Sequence, residues 1–204
     1  MYRISIFYLF PLLAALLSSS ALARGVYLTP EAFLQQTFSA AIPQVQSFWL
    51  KTPDRQRAKD IFNRDYRGLR IRYWSYGNKS AWIFDEIGKT RPITIGVVIV
   101  DNQTTGNKTT GNRIDSVSIL EFRESRGDEV RYPFFTGQFV GLALQQNGTD
   151  LDGAVDGITG ATLSVRAVTR VARFALYLNG QVHPGTQGYL NGQVIPGGQS
   201  VIDE

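Results

Sequence analysis

The sequence predicts an α+β fold, a single domain with a twisted, largely antiparallel sheet flanked by helices. Three observations carry that expectation. Several short alternating or β-branched runs follow one another between residues 69 and 135, separated by turn signals instead of helices. Helix-start signals stand before them and a long amphipathic helix stands after them. The 204 residues, 43% of them hydrophobic, are enough to build a real core.

The elements follow in order. Thr29-Pro30-Glu31 opens a short helix, with Thr29 as cap and Pro30 in the first helical position. Thr52-Pro53-Asp54 repeats that signal before a second helix over Arg55 to Asn63, so residues 24–66 read as an N-terminal helical segment. In residues 69–76, Leu69, Ile71 and Tyr73 alternate with Arg70, Arg72 and Trp74, the pattern of a half-buried strand. Ala81 to Ile87 reads as another strand, and Ile93 to Val100 is β-branched enough for a central one. Gln103 to Asn112 is polar and Gly-containing, a loop or hairpin tip. Ile114 to Phe122 and, after the Arg126-Gly127-Asp128 turn, Glu129 to Phe135 are expected as strands. Thr136 to Gln145 is expected as a short helix, and a long helix runs from about Ala161 to Leu178, ending at Asn179-Gly180. The core of the domain thus spans 67–180. Residues 181–204 form a Gly- and Pro-rich tail in which Tyr177 to Gly185 recurs almost unchanged as Tyr189 to Gly197.

Composition removes several function classes. No Cys means no disulfide, thiolate metal site, iron–sulfur cluster or c-type haem attachment. The lone His, His183, rules out a multi-His metal site or a Ser-His triad. A net charge of +4 with mixed signs is a solvated surface, not a nucleic-acid footprint. Residues 1–23 read as a secretory signal. Arg3 is followed by the largely apolar stretch Ile4 to Leu17 and by an A-x-A-type site, Ala21-Leu22-Ala23. An exported, periplasmic protein is therefore expected, with retention by an uncleaved membrane anchor as the alternative.

Asp156-Gly157-Ile158-Thr159-Gly160-Ala161-Thr162-Leu163-Ser164 is the stretch built most like a ligand site. Two glycines permit close backbone approach. Thr159 is suited to cap the next helix, and Thr162 falls in the first turn, where unpaired N–H groups favour a phosphate. Arg166 lies about one turn further on and can pair with an anion there. These residue types fit equally well a Gly-flanked helix start with no ligand.

The motif resembles the Asp-x-x-Ser/Thr-Gly-Ala-Thr flavinylation signature of the FMN-binding domain family. That family includes the flavin subunits of sodium-pumping NADH–quinone reductase and related redox pumps, and many small exported flavoproteins. Glu124-Ser125-Arg126-Gly127 is similar to the family's Glu-Ser/Thr-x-Gly segment, Gln138-Phe139-Val140-Gly141 to its Gln-Phe-x-Gly segment, and Asp85 to Lys89 to a strand-and-turn stretch. The likeness covers roughly residues 80–178 in the family's order. Val165 and Leu142 depart from it, standing where members often have Ser and Lys.

The resemblance implies FMN held covalently, its phosphate joined as a phosphodiester to the Thr162 hydroxyl. Asp156 would serve recognition, and Gly157, Thr159, Gly160, Ala161, Leu163, Ser164 and Arg166 would form the phosphate surroundings. Glu124, Ser125 and Gln138 would offer polar contacts to the flavin. Glu124 is open to a second reading, as a strand-end charge paired with Arg123 or Arg126. Tyr132, Phe134, Phe135 and Phe139 are either a wall for the ring or simply core. No residue is assigned as catalytic. The implied partners are a flavin transferase using FAD and a divalent metal, and membrane or periplasmic redox proteins as electron donor and acceptor. The implied function is an exported electron carrier. A flavin-dependent oxidoreductase with its own substrate and a non-redox binding module are the alternatives.

Overall fold

A computed structural model describes residues 25–39, 41–101 and 111–183. The expected signal, residues 103–110 of the loop expected over Gln103–Asn112 and the expected tail beyond His183 lie outside the described residues, and Asn112 itself begins β5. The element order is α1 (Pro30–Phe38), β1 (Gln46–Trp49), α2 (Thr52–Phe62), β2 (Arg70–Tyr76), β3 (Lys79–Ile87), β4 (Pro92–Asp101), β5 (Asn112–Phe122), a 3-10 turn (Asp128–Arg131), α3 (Pro133–Thr136), a second 3-10 turn (Gly137–Phe139) and α4 (Thr162–Val182). The five strands form one open sheet in the order β1-β2-β3-β4-β5, every pair antiparallel. The fold is α+β, as the strand runs predict.

β4 is buried along nearly its whole length because helices cover both sheet faces there. On one face α4 lies across β3, β4 and β5. Its Val168, Val171, Ala172 and Ala175 meet Trp82, Phe84, Ile95 and Val97 in the main core. α1 closes the other face with Phe33, Leu34 and Phe38 over Ala81, Val98 and Leu120. Gly96 makes that second contact possible, since a Cβ there would stand 2.7 Å from the Phe33 ring. Gly96→Ala is expected to push α1 off the sheet and cost about 1–3 kcal/mol, visible as a lower melting temperature. A melting curve unchanged from the wild type would refute this packing.

Two buried polar ties fix α4 at its C-terminal end. Ser80 Oγ donates to Asn179 Oδ1 at 2.5 Å and accepts from Trp82 Nε1 at 2.9 Å. Tyr177 donates its hydroxyl to Asp54 Oδ1 at 2.8 Å, while Asp54 Oδ2 accepts the Lys51 N–H. Burial, followed by the Asp54 carboxylate, raises the Tyr177 pKa. The helix accordingly runs past Leu178 to Val182, because Asn179 and Gly180 are packed and bonded where the sequence reads as a stop.

Other expectations need correction. Residues 24–66 are not helical throughout: Gln46–Trp49 is a strand, too short to show a period and held by β2. Lys51, not Thr52, precedes the first helical residue of α2. Leu69 lies outside β2 and is exposed. Glu129 to Phe135 is not a strand but a 3-10 turn followed by α3. The place beside β5 is taken, because Phe122 donates to the Gly25 carbonyl and Tyr27 to that of Leu120. Gly127, at φ +90°, also turns the chain off the line of β5. Of the helix expected over 136–145, Thr136 forms the last residue of α3 and Gly137–Phe139 a 3-10 turn, and no helix continues beyond Phe139. Beyond it the chain is drawn to β5 by Gly141 N–H to Ile114 O and Ile114 N–H to Leu142 O.

Candidate functional site

α4 begins where the chain, after Gly160, has room to turn. Gly160 has φ +84°, and a Cβ at either Gly157 or Gly160 would meet nothing within 4 Å. The loop backbone there borders open space. Ala161 is the N-cap residue; its N–H donates to Ile158 O and its carbonyl accepts the first helical bond, from Val165. Thr159 does not cap the helix, which corrects the sequence reading. Ala161 has no side-chain oxygen, so the N–H groups of Thr162, Leu163 and Ser164 begin the helix without an intrahelical acceptor or a side-chain cap. Among the described residues these three donors have no partner, and they stand at the positive end of a 21-residue helix, where an anion is electrostatically favoured.

Thr162 is the first residue of α4 and is exposed, as are Asp156, Gly157, Thr159, Gly160 and Leu163. Ala161 and Ser164 are buried, and they anchor the helix start. Gly127 lies against both: a Cβ there would be 2.6 Å from Ser164 Oγ and 3.4 Å from Ala161. The Glu124–Gly127 turn is thereby brought beside the Thr162 end of α4. Gln138 joins from a third direction, its Oε1 accepting the Asp156 N–H at 2.6 Å. These three motif segments, separated in sequence, converge on one end of the sheet.

Positive charge at this end is selective. Arg170 pairs with Glu86 at 2.8 Å and Arg173 with Asp150 at 3.4 Å. Arg166 is exposed and has no carboxylate partner among the described residues. Of the three arginines on that side of α4, it alone remains available to an anion. Arg126, exposed in the turn against the helix start, is a second available cation that residue spacing did not single out. The positive φ of Gly127 is the local signal that brings it there.

Glu124 is committed elsewhere in the protein. Its Oε1 accepts the N–H groups of Lys89, Thr90 and Arg91 at 2.5, 2.5 and 2.8 Å, and Oε2 takes the Thr90 hydroxyl at 3.2 Å. The carboxylate clamps the β3–β4 turn and pairs with neither Arg123 nor Arg126. Desolvation acts to raise its pKa, but the backbone donors of Arg91, Thr90 and Lys89 and the Thr90 hydroxyl outweigh it and leave the group lowered. A lowered folded pKa gives stability that is fully present above the unfolded value of about 4.3. That stability is lost as pH falls through the lower folded value. Glu124→Gln should therefore be less stable than the wild type at pH 7, with the difference shrinking on acidification below about pH 4. Chemical denaturation across that range measures it, and a pH-independent difference would contradict the clamp.

Ser125 is exposed beside Glu124, with no hydrogen bond among the described residues. The aromatic residues divide. Phe135 and Phe139 are fully buried, 5.4 Å apart edge to face, and belong to the core. Tyr132 and Phe134 are exposed and stack at 6.3 Å, and Phe134 O accepts from Gln138 Nε2 at 3.4 Å. An apolar, flat-faced pair thus stands one residue contact away from the Asp156 loop.

A family model described as an FMN-binding domain matches residues 88–177, a span that contains the Glu124 turn, Gln138 and the whole Thr162 motif. No curated protein matches the chain.

Proposed function

We propose, from the premise that residues 88–177 belong to the FMN-binding domain family and that the chain is a flavin-binding protein, that it is an exported electron carrier with FMN esterified to Thr162. One observation carries the reading: an exposed Thr hydroxyl at the first residue of α4, set against three unpaired N–H donors and an unengaged Arg166.

The residues fit a phosphodiester. Thr162 would supply the ester oxygen, the N–H groups of the first turn would donate to the phosphate, and Arg166 and Arg126, exposed and without a carboxylate partner among the described residues, would offer it positive charge. A helix N-terminus favours one negative charge by about 0.3–1 kcal/mol when exposed. The open space beside Gly157 and Gly160 admits the phosphate close to the backbone. Phe134, 61% exposed, offers a flat apolar face to a conjugated ring, whereas the Tyr132 ring already carries the Arg131 guanidinium 4.4 Å from its centre. FMN supplies one- and two-electron chemistry, and the protein positions it.

Attachment balances as a transfer. Thr162 would supply the oxygen that bonds to the flavin-side phosphorus of FAD as the phosphoanhydride bond breaks, AMP would leave, and the hydroxyl proton would need a base. Among the described residues no carboxylate or imidazole is hydrogen-bonded to the Thr162 hydroxyl. A Thr hydroxyl needs activation, and His183 sits beyond the far end of α4, about 30 Å away by helix rise. Among the described residues no cluster of three metal-ligating side chains exists. A flavin transferase bringing its own divalent metal is the partner that this chemistry requires. With no Cys, no second redox centre is built from thiolates, so donor and acceptor are separate proteins.

Co-expression of the full chain with a flavin transferase tests the reading. The expected result is a mass increase equal to FMN less one water, with in-gel fluorescence that survives denaturation. An unmodified chain under those conditions would overturn it. Rapid turnover of a soluble substrate in the absence of any redox partner would replace the carrier with an enzyme.

A further inference from the structure

α1 closes only part of its sheet face. It packs on β3 and β4 and reaches Trp74 on β2. Further toward the β1 edge the same face is exposed. Ile71 and Tyr73 point into the main core, so Arg70, Arg72, Trp74 and Tyr76 alternate to the α1 side. Across β1, Trp49 stands opposite Arg70 and Ser47 opposite Arg72. Trp49 is 62% exposed and Tyr76 76% exposed, and the Arg70 guanidinium lies 5.9 Å from the centre of the Trp49 ring.

The charge here has one sign. There is no Asp or Glu from Tyr66 to Phe84, nor from Ser39 to Lys51. Arg67, Arg70 and Arg72 are exposed and make no ion pair among the described residues. Elsewhere on this face the charges are neutralised, with Lys79 on Asp115 and Arg123 on Asp85. Exposed Trp49 and Tyr76 rings set among arginines without an ion pair on this two-stranded face have no requirement from the fold itself.

We infer that this β1–β2 face docks on an anionic lipid surface. The matching is chemical. Trp and Tyr place an apolar body and a polar tip at a headgroup layer, and long Arg side chains lie along it with their charge in the headgroups. A headgroup layer needs no pocket, and the Trp49 and Tyr76 rings here are exposed. The exposed cations of one sign match an anionic headgroup layer in charge. Each cation near an anionic leaflet contributes about 1 kcal/mol, so Arg70 and Arg72 on this face give weak, salt-sensitive binding.

Sedimentation of the full chain with vesicles of phosphatidylglycerol and phosphatidylcholine, against phosphatidylcholine alone, is the test. Binding is expected on the anionic vesicles only, falling as ionic strength rises. Arg70→Gln with Arg72→Gln should weaken it about 10- to 30-fold, whereas Lys59→Gln with Arg113→Gln, removing the same charge elsewhere, should not. Trp fluorescence should shift to the blue on binding, and that shift should be lost in Trp49→Phe. Equal binding to neutral vesicles, or binding indifferent to the Arg70 and Arg72 substitutions, would overturn the inference by pointing to the apolar residues 4–17 instead. No binding to either vesicle would also overturn it, and would leave the face to an acidic protein.

Discussion

Thr162→Ala abolishes covalent flavin entirely under the proposed attachment, while the fold persists. The residue is exposed and first in its helix, its side chain makes no hydrogen bond within the protein, and Ala is the better helix former. Removing the hydroxyl should therefore change stability by no more than about 0.5 kcal/mol and reduce in-gel fluorescence to background. Thr162→Ser keeps a hydroxyl at the same backbone position and should retain label. Arg166→Gln should leave the label on a folded protein but slow its attachment by roughly tenfold, the loss of one exposed charge-assisted contact. Fluorescence surviving in Thr162→Ala would move the ester elsewhere and end the present reading of the helix start. Circular dichroism on the same samples separates lost labelling from lost folding.

The largest expected effect on stability is at Glu86. Its carboxylate is 1% exposed, on the α4 side of β3, and holds two guanidinium groups: Arg64 at 2.7 Å through Oε2 and Arg170 at 2.8 Å through Oε1. It thereby joins the chain that follows α2, the sheet and α4 at one point. Replacing a buried partner leaves the other charges uncompensated, at a cost of about 3–5 kcal/mol. Arg64 is about half exposed and Arg170 a quarter exposed, so both can turn partly to water. Glu86→Ala should fall at the low end, about 3 kcal/mol. In a domain of this size that lowers the melting temperature by roughly 6–12 °C. Arg64→Gln, which leaves Glu86 its Arg170 partner, should cost clearly less. A Glu86→Ala protein as stable as the wild type would mean that the pairings contribute nothing net.

Glu86 also bears on the site. Arg170 lies one turn beyond Arg166 on α4, and it is drawn to Glu86 and to the Ile87 carbonyl at 3.4 Å. Arg173 is taken by Asp150. Sequence spacing puts three arginines on one helical stripe without ranking them. The distant carboxylates do the ranking, and they leave Arg166.

The chain order of the motifs, the four strands from Arg70 to Phe122 and the long amphipathic helix were all legible in the sequence. Each is a local property, written as period-2 alternation, β-branched runs or a 3.6-residue stripe. The Thr29 cap is equally local, and Thr29 Oγ1 does accept the Ala32 N–H at 3.1 Å. What sequence could not decide depended on a partner far along the chain. Residues 129–135 carry strand-forming side chains, but Gly25–Tyr27 already fills the position beside β5. Gln46–Trp49 becomes a strand only because β2 is there to pair with it. Phe135 and Phe139 are core while Tyr132 and Phe134 face out, a division set by which side of a short helix meets the sheet. Glu124, read from its motif as a flavin contact or an Arg partner, is held by three backbone N–H groups more than thirty residues away. Local pattern fixes what a segment can become; the competition among segments for one sheet edge, one face and one counter-charge is settled only when all of them are folded together.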